Sequence, residues 1–202
     1  MKYLIYISFA VVLLLQSCGN NEPRFRYKYN LNPAYKWGYA EFYGAYYKNV
    51  GFGNNVVSLS LFSDSLSVEN GGLVGNGQYL FIEDVFVALG DTILPPGRYV
   101  ASKTGAPFTF FPGEVLKIDK NEFAVGPFLF YKEKRKAFSV QRFVSYGYFD
   151  LTHSTNKHVF DFNLTLSDSS KVRGTYNASL PYFDQSVDVA AGLPRKTIHL
   201  ND

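Results

Sequence analysis

The stretch GYFDLTHSTNKHVFDFNLTLSDSSKVRGTYNASL, residues 147–180, decides the fold class. Gly147, Phe149 and Leu151 alternate with Tyr148, Asp150 and Thr152, and Phe160, Phe162, Leu164 and Leu166 alternate with Asp161, Asn163 and Thr165. After Asp168-Ser169-Ser170, Val172, Gly174, Tyr176, Ala178 and Leu180 alternate with Arg173, Thr175, Asn177 and Ser179. Successive side chains of an extended chain point to opposite sides, so a period of two means strands with one buried and one wet face. The short polar breaks join three such strands into a meander. Setting His153 opposite His158 pairs Leu151 with Phe160 and Phe149 with Phe162, which keeps both apolar rows inward. The same register puts Asp150 opposite Asp161 on the outer face.

Upstream, residues 39–47 read as a strand that is aromatic on both faces, with Glu41, Tyr43 and Tyr47 opposite Phe42 and Tyr46. Residues 48–55, with Asn49, Gly51, Gly53 and Asn54, read as a hairpin loop. Val57, Leu59 and Leu61 alternate with Ser58 and Ser60, the pattern of a half-buried strand. Residues 69–78 hold Gly71, Gly72, Gly75 and Gly77, which are not spaced as a dinucleotide fingerprint, and read as a loop. Residues 79–89 form the longest apolar strand, broken only by Glu83-Asp84, and 98–102 return after a turn around Pro95-Pro96-Gly97. Weaker patterns occupy 106–113 and 117–121, an apolar strand covers 125–131, and 138–143 leads into the meander. Lys132-Glu133-Lys134-Arg135-Lys136 reads as a solvated turn tip. No helical period follows Cys18, and 190–202 looks like a tail with one more short strand at 197–200.

The expectation is an all-β domain of roughly 8–10 strands, an antiparallel barrel or a sandwich. A barrel of about 8 strands leaves room for one small ligand. A flattened sandwich fills that space with its own rings and moves binding to the loops at 48–55 and 69–78. The chain's 202 residues suit one domain, and its 16 Tyr and 19 Phe favour strands. A net charge of +3, with basic residues scattered rather than striped, argues against a dedicated nucleic-acid binder. One cysteine excludes an internal disulfide framework, a thiolate cluster and a redox pair.

The N-terminus is an address. Lys2 precedes an apolar run over residues 3–15, interrupted only by Ser8 and shorter than the roughly 20 residues a spanning helix needs. Leu15-Gln16-Ser17-Cys18 resembles the lipobox of bacterial lipoproteins, with Gln16 where a small residue is usual. That resemblance implies cleavage before Cys18, diacylglycerol on its thiol and acylation of the new amino group, a multi-chain anchor to the membrane. The expected organisation is a signal peptide at 1–17, lipidated Cys18 with a tether at 18–36, the β-domain at 37–184 and a tail at 185–202. Gly19 after the cysteine, by resemblance to lipoprotein sorting, favours the outer membrane, on its periplasmic or its outer side. Arg24-Phe25-Arg26-Tyr27-Lys28-Tyr29 alternates basic with aromatic residues, which fits either contact with anionic head groups or a single-stranded polymer, or a plain solvated tether.

Thr92-Ile93-Leu94-Pro95-Pro96-Gly97-Arg98-Tyr99, with Lys171-Val172-Arg173-Gly174-Thr175-Tyr176, resembles small Bacteroidetes-type lipoproteins of unknown function. Members repeat a leucine–proline–x–glycine–x–tyrosine turn and end on a glycine–x–tyrosine step, and some are calycin-like β-barrels. The resemblance implies such a barrel here. Asp64-Ser65-Leu66 and Asp91-Thr92-Ile93 resemble the O-glycosylation sequon of that group, which makes Ser65 and Thr92 candidate acceptors.

Chemistry is harder to find. There is no Gly-x-Ser-x-Gly elbow, and none of the three histidines has a motif partner, so no catalytic residue and no cofactor is assigned. Glu83 and Asp84 are neighbours on a strand, expected on opposite faces, so they should not act as a pair, although either can pair with a distant carboxylate. Asp150 and Asp161 form a candidate hard-cation or substrate site in which one carboxyl should titrate above its ordinary value, or else a solvated acidic pair. His153 and His158 need further ligands to hold a metal. Trp37, Tyr43, Tyr47, Tyr146 and Tyr148 exceed the inward positions and suit a sugar or lipid surface, unless they form a second core face or, for Trp37, plug a barrel end. The functional expectation is a non-catalytic binding or interaction module for a glycan, an apolar ligand or a protein. The alternative is a hydrolase with scattered Asp and Glu residues.

Overall fold

The computed structural model describes residues 29–63, 65–118, 121–133, 138–195, 198 and 200. The signal segment, Cys18, the basic–aromatic run at 24–28, Asp64 and the charged residues 134–136 lie outside the described residues. In chain order the strands are β1 (Ala34–Tyr35), β2 (Trp37–Gly44), β3 (Asn55–Phe62), β4 (Leu66–Glu69), β5 (Gly72–Gly75), β6 (Gly77–Val87), β7 (Gly97–Ala101) and β8 (Thr109–Phe110). They continue as β9 (Glu114–Ile118), β10 (Asn121–Val125), β11 (Phe128–Glu133), β12 (Phe138–Ser154), β13 (Lys157–Leu166), β14 (Lys171–Val172), β15 (Thr175–Ala178) and β16 (Tyr182–Asp184). A 3₁₀ turn at Lys48–Val50 and a helix α1 at Ser186–Ala190 complete the elements. No helix among the described residues is long and apolar enough to cross a membrane.

The all-β expectation holds, as a closed five-strand barrel core with further strands added. Closure depends on two long strands, β6 and β12, each of which pairs twice along one edge. At one end β11 lies between them, Phe128 facing Phe81 on β6 and Phe143 on β12. At the other end β7 and β8 bridge them, Val100 pairing with Tyr148 and Thr109, and Phe110 with Val85. From β6 the sheet extends through β3 and β2 to β16, and from β12 through β13 and β15 to β1. The chain passes from β1 to β2 at Lys36 and from β15 to β16 at Ser179–Pro181, so the two outer edges are joined covalently as well.

The meander register is the one read from the alternation: Phe149 faces Phe162, Leu151 faces Phe160, Asp150 faces Asp161 and His153 faces His158. Each apolar row points inward, with Phe149, Leu151, Phe160, Phe162, Leu164 and Leu166 all buried. Leu80, Ile82, Val85 and Val87 of β6 and Val57, Leu59 and Leu61 of β3 meet them. Among the described residues the interior is thus lined and packed by the protein's own rings and branched chains. Both recurrent turns owe their tyrosines to this core: Tyr99 is buried and donates its hydroxyl to the Pro95 carbonyl at 2.8 Å, and Tyr176 does the same to Ser179 at 2.6 Å.

Three expectations are corrected. β3 is buried at all eight positions, Ser58 and Ser60 included, because its outer face carries a second, aromatic layer. Residues 69–78 are not an open loop: Asn70 and Gly71, at φ 52° and 80°, make the two-residue turn of the β4–β5 hairpin, which the Asn-Gly pair encodes. That hairpin covers Phe62 and Tyr79 with Leu66 and Leu73. Residues 185–195 are not a loose tail either, since α1 and the residues after it lie over the outer face of β2 and β6, with Val189 against the Tyr43, Val56 and Phe86 cluster and Ile198 and Leu200 against Phe62 and Tyr79.

Candidate functional site

The site begins with a fault in the β3–β6 ladder. Val57 pairs with Val85 and Leu59 with Ile82, so the single residue Ser58 faces both Glu83 and Asp84. This is a β-bulge, and it shifts the side-chain phase by one residue. Leu80 and Ile82 point into the core before it, Val85 and Val87 after it. Glu83 and Asp84 consequently share the outer face, which corrects the expectation that neighbours on a strand must diverge.

Asp84 is nearly inaccessible and fully engaged. The Tyr47 hydroxyl donates to its Oδ2 at 2.8 Å, and Arg195 NH1 donates to its Oδ1 at 2.8 Å. Arg195 arrives from the segment after α1 and lies 3.8 Å above the Tyr46 ring and 4.4 Å from the Tyr43 ring. A buried guanidinium requires such partners, because an uncompensated ion in a poorly polarisable setting is strongly disfavoured. Glu83 receives the Gly126 backbone N–H on Oε2 at 2.8 Å, and its Oε1 lies 3.7 Å from Arg195 NH1. Burial pushes the Glu83 carboxyl above the ordinary range and Asp84 adds to this, while the Gly126 N–H and Arg195 oppose the shift without cancelling it. Burial and then Asp84 hold the Tyr47 phenol above its usual value, so it remains a donor.

Beside these groups opens a pocket of about 400 Å³. Tyr47, Phe52, Phe111, Pro112 and Val125 form its apolar wall, and Glu83, Asp84, Lys103 and Glu114 its polar groups. The rings brace one another: Phe52 meets Phe111 edge-on at 5.5 Å, Tyr47 lies 5.8 Å from Phe111, and Phe86 backs Phe111 at 4.6 Å. At the rim Lys103 Nζ binds Glu114 Oε2 at 2.8 Å. A second recess of about 370 Å³ adjoins the same ion pair and carries Tyr146, which is 71% exposed. Phe52 belongs to the loop at 48–55, the place a filled core leaves for binding.

The five aromatics named from the sequence do not form one surface. Tyr47 lines the pocket, Tyr43 is buried beneath Arg195, and Tyr146 stands in the adjoining recess. Trp37 belongs to the other outer cluster, half-buried and stacked on Phe62 at 3.9 Å with its indole N–H on the Leu66 carbonyl at 2.8 Å, outside the barrel and away from the pocket. Tyr148 sits on the meander under the Arg98 guanidinium at 4.0 Å. Asp150 and Asp161 do face each other and line a shallow recess of about 210 Å³. Arg98 grips Asp150 through two hydrogen bonds of 2.8 Å and lowers its carboxyl, so the two acids are not the unshielded neighbours for which a rise was expected. Among the described residues no group of three or more His, Cys, Asp or Glu is placed to hold a metal. His153 and His158 pair edge-on at 4.6 Å. Ser65 and Thr92 are both exposed.

Arg195, Phe52, Phe111, Lys103 and Glu114 escaped the sequence reading, as did the joint action of Glu83 and Asp84. One signal was present: the apolar phase of 80, 82, 85 and 87 slips by one at Glu83-Asp84, which a bulge explains and a regular strand does not. No protein-family model matches the chain, and neither a curated protein nor a solved structure gives a match.

Proposed function

We propose that the chain is a small envelope lipoprotein of the Bacteroidetes type, tethered to the outer membrane through lipidated Cys18, and that its β-domain is a non-catalytic binding module. The ligand seat is the pocket beside the β6 bulge. One observation carries this reading: a braced aromatic wall with a few fixed polar groups encloses about 400 Å³ on the outside of a filled barrel. Binding needs apolar walls and a small number of placed hydrogen-bonding groups, which is what this pocket supplies.

A hydrolase is the second reading, favoured by Glu83, whose burial helps it keep a proton as a general acid would. Acid–base work on one bond needs a second carboxylate with an open oxygen. Asp84 has one oxygen on Tyr47 and the other on Arg195, and Glu114 is held by Lys103. Those engagements favour binding over turnover. The test is a screen of the chain carrying Cys18→Ser against glycans, fatty acids and chromogenic esterase and glycosidase substrates. Saturable binding that weakens in Phe111→Ala, without turnover, is expected. Turnover abolished by Glu83→Gln with binding retained would replace the module with an enzyme.

A further inference from the structure

Resting on the reading of this pocket as a ligand seat, we infer that its ligand is a small organic cation, an ammonium or guanidinium group carried on a flat apolar body, with the charge set against Glu83 and the body against Phe52 and Phe111. Charge placement comes first. Among the described residues three carboxylates, Glu83, Asp84 and Glu114, face two cations, Arg195 and Lys103. Asp84 and Glu114 each have a cation at 2.8 Å, whereas the one near Glu83 is 3.7 Å away. The unbalanced negative charge thus falls on Glu83, on the pocket side of the bulge.

The adjoining corner already holds a cation of this kind. Arg195 is seated between a carboxylate and the faces of Tyr43 and Tyr46, the combination that stabilises a desolvated cation. Tyr47 belongs to both places: its hydroxyl serves Asp84, and its ring, with Phe52 and Phe111, walls the pocket. An anionic ligand would instead meet Glu83 and would have to draw Lys103 off Glu114. A neutral one would cover the Glu83 carboxylate without neutralising it.

The same geometry sets the pH response. Among the described residues the groups facing Glu83 are Asp84 on its own strand, Arg195 from the segment after α1 and the Gly126 N–H, with Tyr47 beyond Asp84 and Lys103 and Glu114 at the rim. A cationic ligand draws the proton from Glu83, so its affinity rises with pH through the Glu83 titration.

Phenethylammonium, phenylethanol and phenylpropionate share one ring and differ in charge, and their binding to the full chain in non-ionic detergent is measured by calorimetry. Phenethylammonium is expected to bind about tenfold more tightly than phenylethanol, with phenylpropionate weakest. Glu83→Gln, which keeps an acceptor for Gly126, should erase that preference by weakening phenethylammonium to the level of phenylethanol or below. Lys103→Ala, an exposed change, should tighten phenethylammonium by releasing Glu114. Equal or tighter binding of phenylethanol or phenylpropionate, still weakened by Phe111→Ala, overturns the cation and leaves the seat standing. No binding by any of the three, or binding indifferent to both Phe111→Ala and Glu83→Gln, overturns the seat itself.

Discussion

At the scale of single residues, Glu83 and Arg195 hold opposite positions in one network. The Glu83 carboxyl binds its proton more tightly in the fold than in the unfolded chain, burial being the main cause. As pH rises past the ordinary carboxyl value, the unfolded chain gives up this proton first, so stability falls until the folded group has also ionised. Glu83→Gln never ionises. It should melt above the parent at neutral pH, and the gap should close on acidification below about pH 4, the ordinary range for Glu; a gap that persists there would mean another cause. Arg195→Ala should be severe, costing about 3–5 kcal/mol in chemical denaturation, because it strands a carboxylate against the Tyr47 hydroxyl alone. The two side chains are 10% and 5% exposed, so water cannot substitute freely. A cost below about 1 kcal/mol would show that Asp84 is hydrated. Nothing local announces this pair, since 111 residues separate its members.

At the scale of elements, the bulge in β6 makes the site and the meander makes the core. Deleting Glu83 would set Asp84 alone opposite Ser58 and leave Leu80, Ile82, Val85 and Val87 in an unbroken inward row. The expected result is a cooperatively folded protein that no longer binds phenethylammonium; loss of cooperative unfolding would mean that the bulge is needed by the sheet itself. In β13, Phe162 is buried against Phe149 and Phe160, and Phe162→Ala should cost about 3–5 kcal/mol through the lost ring and its cavity. Asn163, on the other face, makes one long 3.4 Å bond to the Tyr148 hydroxyl, and its replacement by Ala should stay within about 0.5 kcal/mol. Equal melting temperatures would contradict the register. That register was legible because a slip of one residue would turn every Phe and Leu of the strand into water. The bulge was not, because strict alternation assigns Glu83 and Asp84 to different faces, and the competing phase signal spans only four apolar residues. The β4–β5 hairpin was missed for another reason: four glycines obscured the Asn70-Gly71 turn.

At the scale of the whole molecule, the C-terminal segment completes a second apolar layer outside the barrel. Ending the chain at Gly192 would remove Arg195, Ile198 and Leu200 and uncover the rings of Tyr43, Tyr46 and Phe62. The single Trp37 packs in that layer on Phe62, so its emission should shift to the red and the melting temperature should fall; an unchanged spectrum would mean that the segment does not cover it. Cys18→Ser should move the domain from the membrane fraction to the soluble one without altering its melt, and retention through a high-salt wash would refute the lipid anchor. The sequence by itself determined an all-β fold, its meander register and the inward rows, because alternation is a local property that burial enforces strand by strand. Only the tertiary structure decided that the barrel would be filled, that its outer face would carry a second layer, and that Tyr47, Phe52, Glu83, Lys103, Phe111 and Glu114 would line one pocket with Arg195 behind it. The physical reason is closure: alternation says which face a side chain takes, but what covers that face depends on β6 and β12 pairing at both ends and on where the chain returns.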